Sequence, residues 1–434
     1  MHSIFSTKKY LYLAITVVAL LFSTFADSIS AASLTNPKFN SEELHRMLQQ
    51  DIERYNIPAA SLSVGVMGDR IINVNVGLSD IEKNKKITPG QLFIIGSVSK
   101  SFLVAVVLDL IQQGKITLND TLGQLSEPGT VLQTILDQYP PLKSISLKQL
   151  LTHTSGLGDS INTKGFAKLF ASQPMADWSS SELISFGMMS DVTKSNLASL
   201  GKSHKYFYTN MNYYLVSLAV SSITHESACS LIQHEIDRAG LKNTYIPCTT
   251  GSVYPKSVLA RLADGYVTPT QGGWSNTFME VFSRYPKVML PGVHPVIGYN
   301  ITPLAVNMSH WDFPAGGIVS SSDDLVRWYE ALFSGKLVDK KILKEMYSWV
   351  PMGDGGYYGL AIKKQYLKQY KTDMYFHGGD QLAYVTNVLY LKRFNLIIAL
   401  TTSSDNDYTD YIDKGIILDI LQVLLNSPGV DAVK

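Results

Sequence analysis

The stretch "FIIGSVSKSF" (residues 93–102) decides how the chain is read. An apolar run ends at Gly96, Ser97 follows, and Lys100 stands three residues later at the head of a second apolar run, "SFLVAVVLDLIQQG" (101–114). At a helix start, an i, i+3 spacing puts both side chains on one face, a single turn apart. The helix N-terminus favours negative charge developing on Ser97, and a lysine beside an apolar helix can shed its proton and accept another. The spacing alone is weak, since Ser6–Lys9 and Ser199–Lys202 share it. A capping serine beside a surface lysine would look the same.

Two further stretches add chemistry. "KYFYTNMNYYLVSLAV" (205–220) sets Tyr208 and Asn210 just before an apolar helix. A tyrosine paired with a lysine can serve as general base, and an asparagine offers a donor and an acceptor to a substrate amide. "YFHGGDQLAYVTNVLYL" (375–391) opens a strand with His377, Gly378, Gly379 and Asp380. The two glycines permit close backbone approach, and the Asp380 N–H could join the Ser97 N–H in an oxyanion hole.

Around these stretches, periodicity predicts a helix over 42–58 with Leu44, Met47, Leu48 and Ile52 on one face, and a hairpin over 59–77 turning at Gly68-Asp69. Strands are expected at 358–365, 383–391 and 395–403, with a closing helix at 411–425. Between about 120 and 310 the pattern is mainly helix and loop. The expected fold is α/β, of the α+β type: one antiparallel sheet flanked by helices, built from both chain ends (about 42–95 and 312–434), with an inserted mainly helical subdomain (about 96–311). A cleft between the two parts would hold the site.

In this order, Ser97-x-x-Lys100, Tyr208-x-Asn210 and His377-Gly378-Gly379 resemble the three active-site motifs of serine hydrolases related to class C β-lactamases and DD-peptidases. "GKITLNDTLGQL" (114–125), "QLLTHTSGL" (149–157) and "PAGGIVSSSDDL" (314–325) resemble that family's intervening signatures, so the likeness spans about residues 42–425. It implies a β-lactamase/transpeptidase-like fold and an acyl-enzyme on Ser97. Lys100 and Tyr208 would share the proton transfers, while Asn210 and residues 377–380 would hold the substrate. No metal or cofactor is implied. Many β-lactamases of the family carry Lys-Thr-Gly at the third motif. Here the hydroxyl position is Gly378, and Asp380 follows the triplet. A carboxylate facing the site would repel a substrate carboxylate by about 1 kcal/mol or more. Weak β-lactamase activity at best is therefore expected; esters, amides or D-amino peptides without a free carboxylate at that end are favoured, and the D-Ala-D-Ala carboxypeptidase type, though kept, is lowered. The alternative is a class C-like β-lactamase or a non-catalytic penicillin-binding or sensor protein. His153 is expected to be structural, and Ser404-Asp405-Asn406 to form a turn.

Composition narrows the rest. The 434 residues carry a formal net charge of +1 without long charged runs, which argues against nucleic-acid binding. Lys8 and Lys9, the apolar stretch 10–22 and the small residues after it read as an export signal over residues 1–31, ahead of a hydrolase domain at 32–434. The expected location is secreted or periplasmic, with no membrane contact beyond that segment. The expected partner is a small-molecule or peptidoglycan-peptide substrate, and the expected state is a monomer. A disulfide between Cys229 and Cys248 and a pair of buried thiols are equally open.

Overall fold

The computed structural model describes residues 40–248, 253–267, 293–294, 298–405 and 415–426. The segment read as an export signal (1–31), most of the 269–300 insertion, Asn406 and the start of the expected 411–425 helix lie outside them. Helix α1 (Ser41–Arg54) begins where Asn40 accepts hydrogen bonds from the N–H groups of Glu42 and Glu43, and it buries Leu44, Leu48 and Ile52. The chain then forms β1 (Ala59–Val66) and β2 (Ile71–Asp80), turning at Gly68-Asp69 as the hairpin reading requires.

A nine-stranded sheet carries the molecule. Its other strands are β3 (Lys85–Lys86), β4 (Val350–Pro351), β5 (Tyr357–Tyr358), β6 (Lys363–Leu367), β7 (Thr372–Gln381), β8 (Tyr384–Leu391) and β9 (Leu396–Thr402). The order is β3-β2-β1-β9-β8-β7-β6-β5-β4, and the pairings are antiparallel. β1 pairs with β9 in the register Leu62↔Leu400, so the two chain ends meet at the sheet's centre. On one face, Leu44, Leu48 and Ile52 pack with Leu62, Val64, Leu389 and Ile398, joined by Ile416 and Ile420 of α7 (Ile416–Asn426). The larger core lies on the other face, around α2 (Lys100–Gln112). That helix is buried nearly all round, and Phe102 stacks on Trp328 of α6 (Ser322–Ser334), ring centres 3.9 Å apart. This explains why its sequence is almost continuously apolar rather than amphipathic.

Three expectations need correction. The 358–365 strand is two strands: Ala361 is left-handed (φ 50°) and Gly359 N–H bonds Ile362 C=O at 2.7 Å, so a tight hairpin interrupts the run. Ser404 and Asp405 form a short strand paired in parallel with Tyr266–Val267, not a turn. Within the mainly helical middle, Tyr266–Val267, Val293–His294 and Gly298–Asn300 belong to that same four-stranded sheet. Its pairing is non-local, which local pattern does not report.

Middle-region helices that matter below are α3 (Met211–Thr224), α4 (Ala228–Ala239) and α5 (Thr302–Asp312). Cys229, in the first turn of α4, is bonded to Cys248, with Cα atoms 6.2 Å apart. The open question of disulfide or thiols is thereby answered. The bridge closes a loop of sequence separation 19, for which chain entropy gives about 3 kcal/mol. Replacing both cysteines by alanine is expected to lower the unfolding free energy by about that amount in urea titration. An unchanged midpoint and slope would contradict a structural role for the bridge.

Candidate active site

Ser97 sits in a 3₁₀ turn, Gly96–Ser99, that runs directly into α2. The turn is pressed against β7. A Cβ on Gly379 would lie 1.9 Å from the Ile95 carbonyl oxygen and 3.1 Å from Ser97 N. One on Gly96, itself at φ +49°, would lie 2.6 Å from Asp380 N. No side chain fits between the two backbones. The contact sets the backbones of Ser97 and Asp380 side by side. Beyond Phe376, the last residue paired with β6, strand β7 continues paired to β8 alone among the described residues. Residues 377–381 therefore lie where the ladder to β6 has ended.

Lys100 is fully buried, and its Nζ has three oxygen neighbours: Ser97 Oγ at 2.9 Å, Asn210 Oδ1 at 2.8 Å and the Ala315 carbonyl at 2.7 Å. Burial brings its pKa down to about 7, against the pull of Asp312 and Asp159 and helped by Lys363. Two of the three partners can only accept. A neutral Lys100 therefore spends both its hydrogens on Asn210 and Ala315 and presents its lone pair to the Ser97 hydroxyl. That is the arrangement a general base needs.

Asn210 is held from both sides. Its backbone N–H bonds Asp159 Oδ2 at 2.9 Å, and its Nδ2 donates to Asp312 Oδ1 at 3.1 Å. Tyr214 of α3 donates to the same Asp312 oxygen at 2.7 Å. Asn210 thus lines the cleft while its amide bridges Lys100 to Asp312, which restricts it as a substrate ligand. Burial raises Asp312 to about 6, opposed mainly by the charge on Lys100. Asp159 is likewise raised by burial.

The Tyr208 hydroxyl is buried without an aligned hydrogen bond, although the Ser97 side chain is close enough to favour its ionised form. Burial wins and pushes the phenol well above 10. Its ring lies 5.0 Å from Lys100 Nζ. A resting phenolate is therefore disfavoured, and the neutral lysine is the better proton acceptor in the free site. Tyr208 suits passing a proton more than holding a charge.

His377 is buried, receives the Tyr358 hydroxyl at Nε2 (2.9 Å) and contacts the Gly378 carbonyl through Nδ1 (2.6 Å). Burial, Lys363 and Lys100 depress it far below the ordinary histidine range, so it is a neutral ring. His153 is buried in the "HTSGL" turn at φ 56° and accepts the Thr209 N–H at Nδ1 (3.2 Å). Its place is structural, beside the Tyr208 ring at 4.4 Å.

The cleft measures about 350 Å³ and is lined by Ser97, Asp159, Tyr208, Asn210, Lys363 and Asp380 among others. Asp380 and Lys363 of β6 both line the cleft. The negative charge expected beside the triplet is accompanied by a cation that the "IKKQ" stretch gave no reason to single out. Asp159, Asp312 and Tyr358 also escaped the sequence reading. Asp159 follows the "HTSGL" turn by two residues, and Asp312 precedes Ala315 by three. Each is an acidic residue in an apolar setting, a usable signal, whereas Tyr358 carries none.

A family model described as "Beta-lactamase" matches residues 44–420. The chain belongs to the beta-lactamase family. Within it, the chain is 21% identical over 386 residues to the protein flp of Staphylococcus aureus (strain COL), covering 86% of this chain and 65% of that protein. It thus spans about two thirds of that relative's length. The fold is similar to that of the D-amino acid amidase from Ochrobactrum anthropi SV3, with a TM-score of 0.66, 19% identity and coverage of 89% and 97% of the two chains. A D-stereospecific amidohydrolase from Streptomyces sp. gives 0.63, 19%, 87% and 98%. A penicillin binding protein from Bacillus halodurans gives 0.61, 17%, 88% and 98%. At these identities the structures show a shared beta-lactamase-family fold. Among the described residues, no single helix is long and apolar enough to cross a membrane.

A Lys100 whose pKa is brought down to about 7 beside Ser97 makes its candidate role as proton acceptor testable by pH. Below about pH 7 Lys100 holds a proton and cannot take one from Ser97, so turnover of a neutral acyl ester should rise with pH through that value. Asp312→Asn removes a charge that favours protonated Lys100, so the rise should move to lower pH. A midpoint that stayed in place or moved up would contradict the coupling.

Proposed function

We propose that this chain is an exported serine hydrolase that cleaves short D-aminoacyl amides and related esters or D-amino peptides through a Ser97 acyl-enzyme. The observation that carries the reading is the buried Lys100 Nζ, 2.9 Å from Ser97 Oγ and within hydrogen-bond reach of two acceptor-only oxygens; in its neutral form it gives its two hydrogens to those oxygens and its lone pair to Ser97. In the proposed cycle, Ser97 Oγ bonds to the substrate carbonyl carbon and gives its proton to Lys100. The N–H groups of Ser97 and Asp380 hold the resulting oxyanion. As the carbonyl–nitrogen bond breaks, the proton passes by way of Tyr208 to the leaving amine. Water then attacks the acyl carbon, giving its proton to the same lysine; as the acyl carbon–Oγ bond breaks, Lys100 returns that proton to Ser97 Oγ and the carboxylic acid product leaves.

The amide class is supported by the similarity to two enzymes that are named for D-amino acid amides and D-stereospecific amidohydrolysis. A small cleft with two carboxylates on its wall suits a short substrate carrying an amino group. Lys363 in the same wall favours a second version, in which a peptide ending in a free carboxylate is accepted, as in a D-Ala-D-Ala carboxypeptidase. The basic and apolar N-terminal segment supports export to where such peptides are found.

Assay of D- and L-alanine and phenylalanine amides, their methyl esters and a D-Ala-D-Ala peptide tests the reading. The expected result is hydrolysis of D-amides and esters above the L-forms, with Ser97→Ala lowering kcat by at least about a thousandfold. Preferential cleavage of the D-Ala-D-Ala peptide would select the second version. Equal activity in wild type and Ser97→Ala would overturn both.

A further inference from the structure

Hydrogen-bond direction can be followed along a chain of four hydrogen bonds beside the cleft. The Thr209 backbone N–H can only donate, and it points at His153 Nδ1 (3.2 Å), as does Asn212 Nδ2 (3.1 Å). With Nδ1 accepting, the hydrogen of neutral His153 is on Nε2, which faces the Tyr358 oxygen at 3.3 Å. Tyr358 then directs its own hydrogen to His377 Nε2 at 2.9 Å. The remaining hydrogen of His377 is on Nδ1 and meets the Gly378 carbonyl at 2.6 Å. The reverse order is closed at both ends, by an N–H that cannot accept and a carbonyl that cannot donate.

We propose that Tyr358 is a positioning residue: it locks His377 in the Nδ1–H tautomer and thereby holds the Gly378 peptide that aims the Gly379–Asp380 backbone at Ser97. The proposal deepens the hydrolase reading and rests on it for the role assigned to that backbone. Tyr358 comes from the short strand β5, outside the three motifs and 19 residues before His377, and is fully buried. Its ring packs on His153, Tyr206 and Tyr208 at 4.8, 5.4 and 6.1 Å, and the Tyr213 phenol lies close enough to bear on its ionisation. The charged groups acting on His377 are Lys363 and Lys100, both of which oppose an imidazolium. Locked and neutral, His377 supplies no cation to a substrate carboxylate, and any such charge must come from elsewhere in the cleft wall.

The test is nitrogen-15 NMR of the full chain with labelled histidine, assigned by His153→Asn and His377→Asn, together with kinetics of Tyr358→Phe. In the wild type, His153 should show the Nε2–H tautomer and His377 the Nδ1–H tautomer, both still neutral at a pH where an ordinary histidine is protonated. Tyr358→Phe should release Nε2 of His377, so that the ring titrates at a higher pH than in the wild type. It should also lower kcat by about fivefold to tenfold, the size of one neutral hydrogen bond, with KM little changed. Wild-type His377 carrying its hydrogen on Nε2 would overturn the relay, and this readout survives a variant that fails to fold. A folded Tyr358→Phe with altered His377 but unchanged kcat would overturn the positioning role. Because the tautomers are read without substrate, failure of the hydrolase reading is seen separately, as inactivity towards every amide and ester.

Discussion

The site depends on two backbones being allowed to touch. Gly96 and Gly379 leave no Cβ between the turn that carries Ser97 and the strand that carries Asp380. Any side chain at either position would drive β7 off the turn, since the atoms it meets are main-chain atoms that cannot rotate away. β7 lies two strands from β9, and β9 pairs with β1, so the position of this contact is inherited from the joining of the two chain ends. The helix α2 is fixed from the opposite side by Trp328, which stacks on Phe102 and donates to Ser101 Oγ at 2.9 Å. Sheet and helix together hold Ser97 between them.

Given that frame, burial does the chemical work. Lys100 loses water on every side and gains three oxygen neighbours, only one of which can give up a proton. The cost of burying a cation is what brings the ammonium near neutrality, and the nearby acids Asp312 and Asp159 keep it from falling further. The same desolvation acts on Tyr208 with the opposite sign, keeping the phenol protonated. One dry environment therefore favours the uncharged form of both groups. His377 is driven neutral by that environment, with Lys363 and Lys100 acting in the same direction.

Much of this was legible in the sequence because it depends on local pattern. Alternating and helical periodicity located β1, β2, β8, β9 and α1, and the Ser97, Tyr208 and His377 stretches meet at one cleft. What was not legible depends on distant partners. The hairpin at Ala361 needs one residue in a left-handed conformation that nothing in "YGLAIKKQ" announces. Asp312 matters because α5 ends beside Asn210, 102 residues away in sequence. Tyr358 matters because a two-residue strand brings it between two histidines. The pairing of Cys229 with Cys248 required the geometry of α4 and the segment returning past it.

The claim on which the rest stands is that Ser97 is the nucleophile, and it is tested most directly by covalent capture. The purified chain and its Ser97→Ala variant are incubated with a neutral fluorophosphonate at pH 8, where Lys100 is mainly unprotonated, and examined by intact mass and peptide mapping. One phosphonyl group per chain, on the peptide containing Ser97 and absent from the variant, is the predicted result. Labelling of a different serine, or equal labelling of the variant, would contradict it.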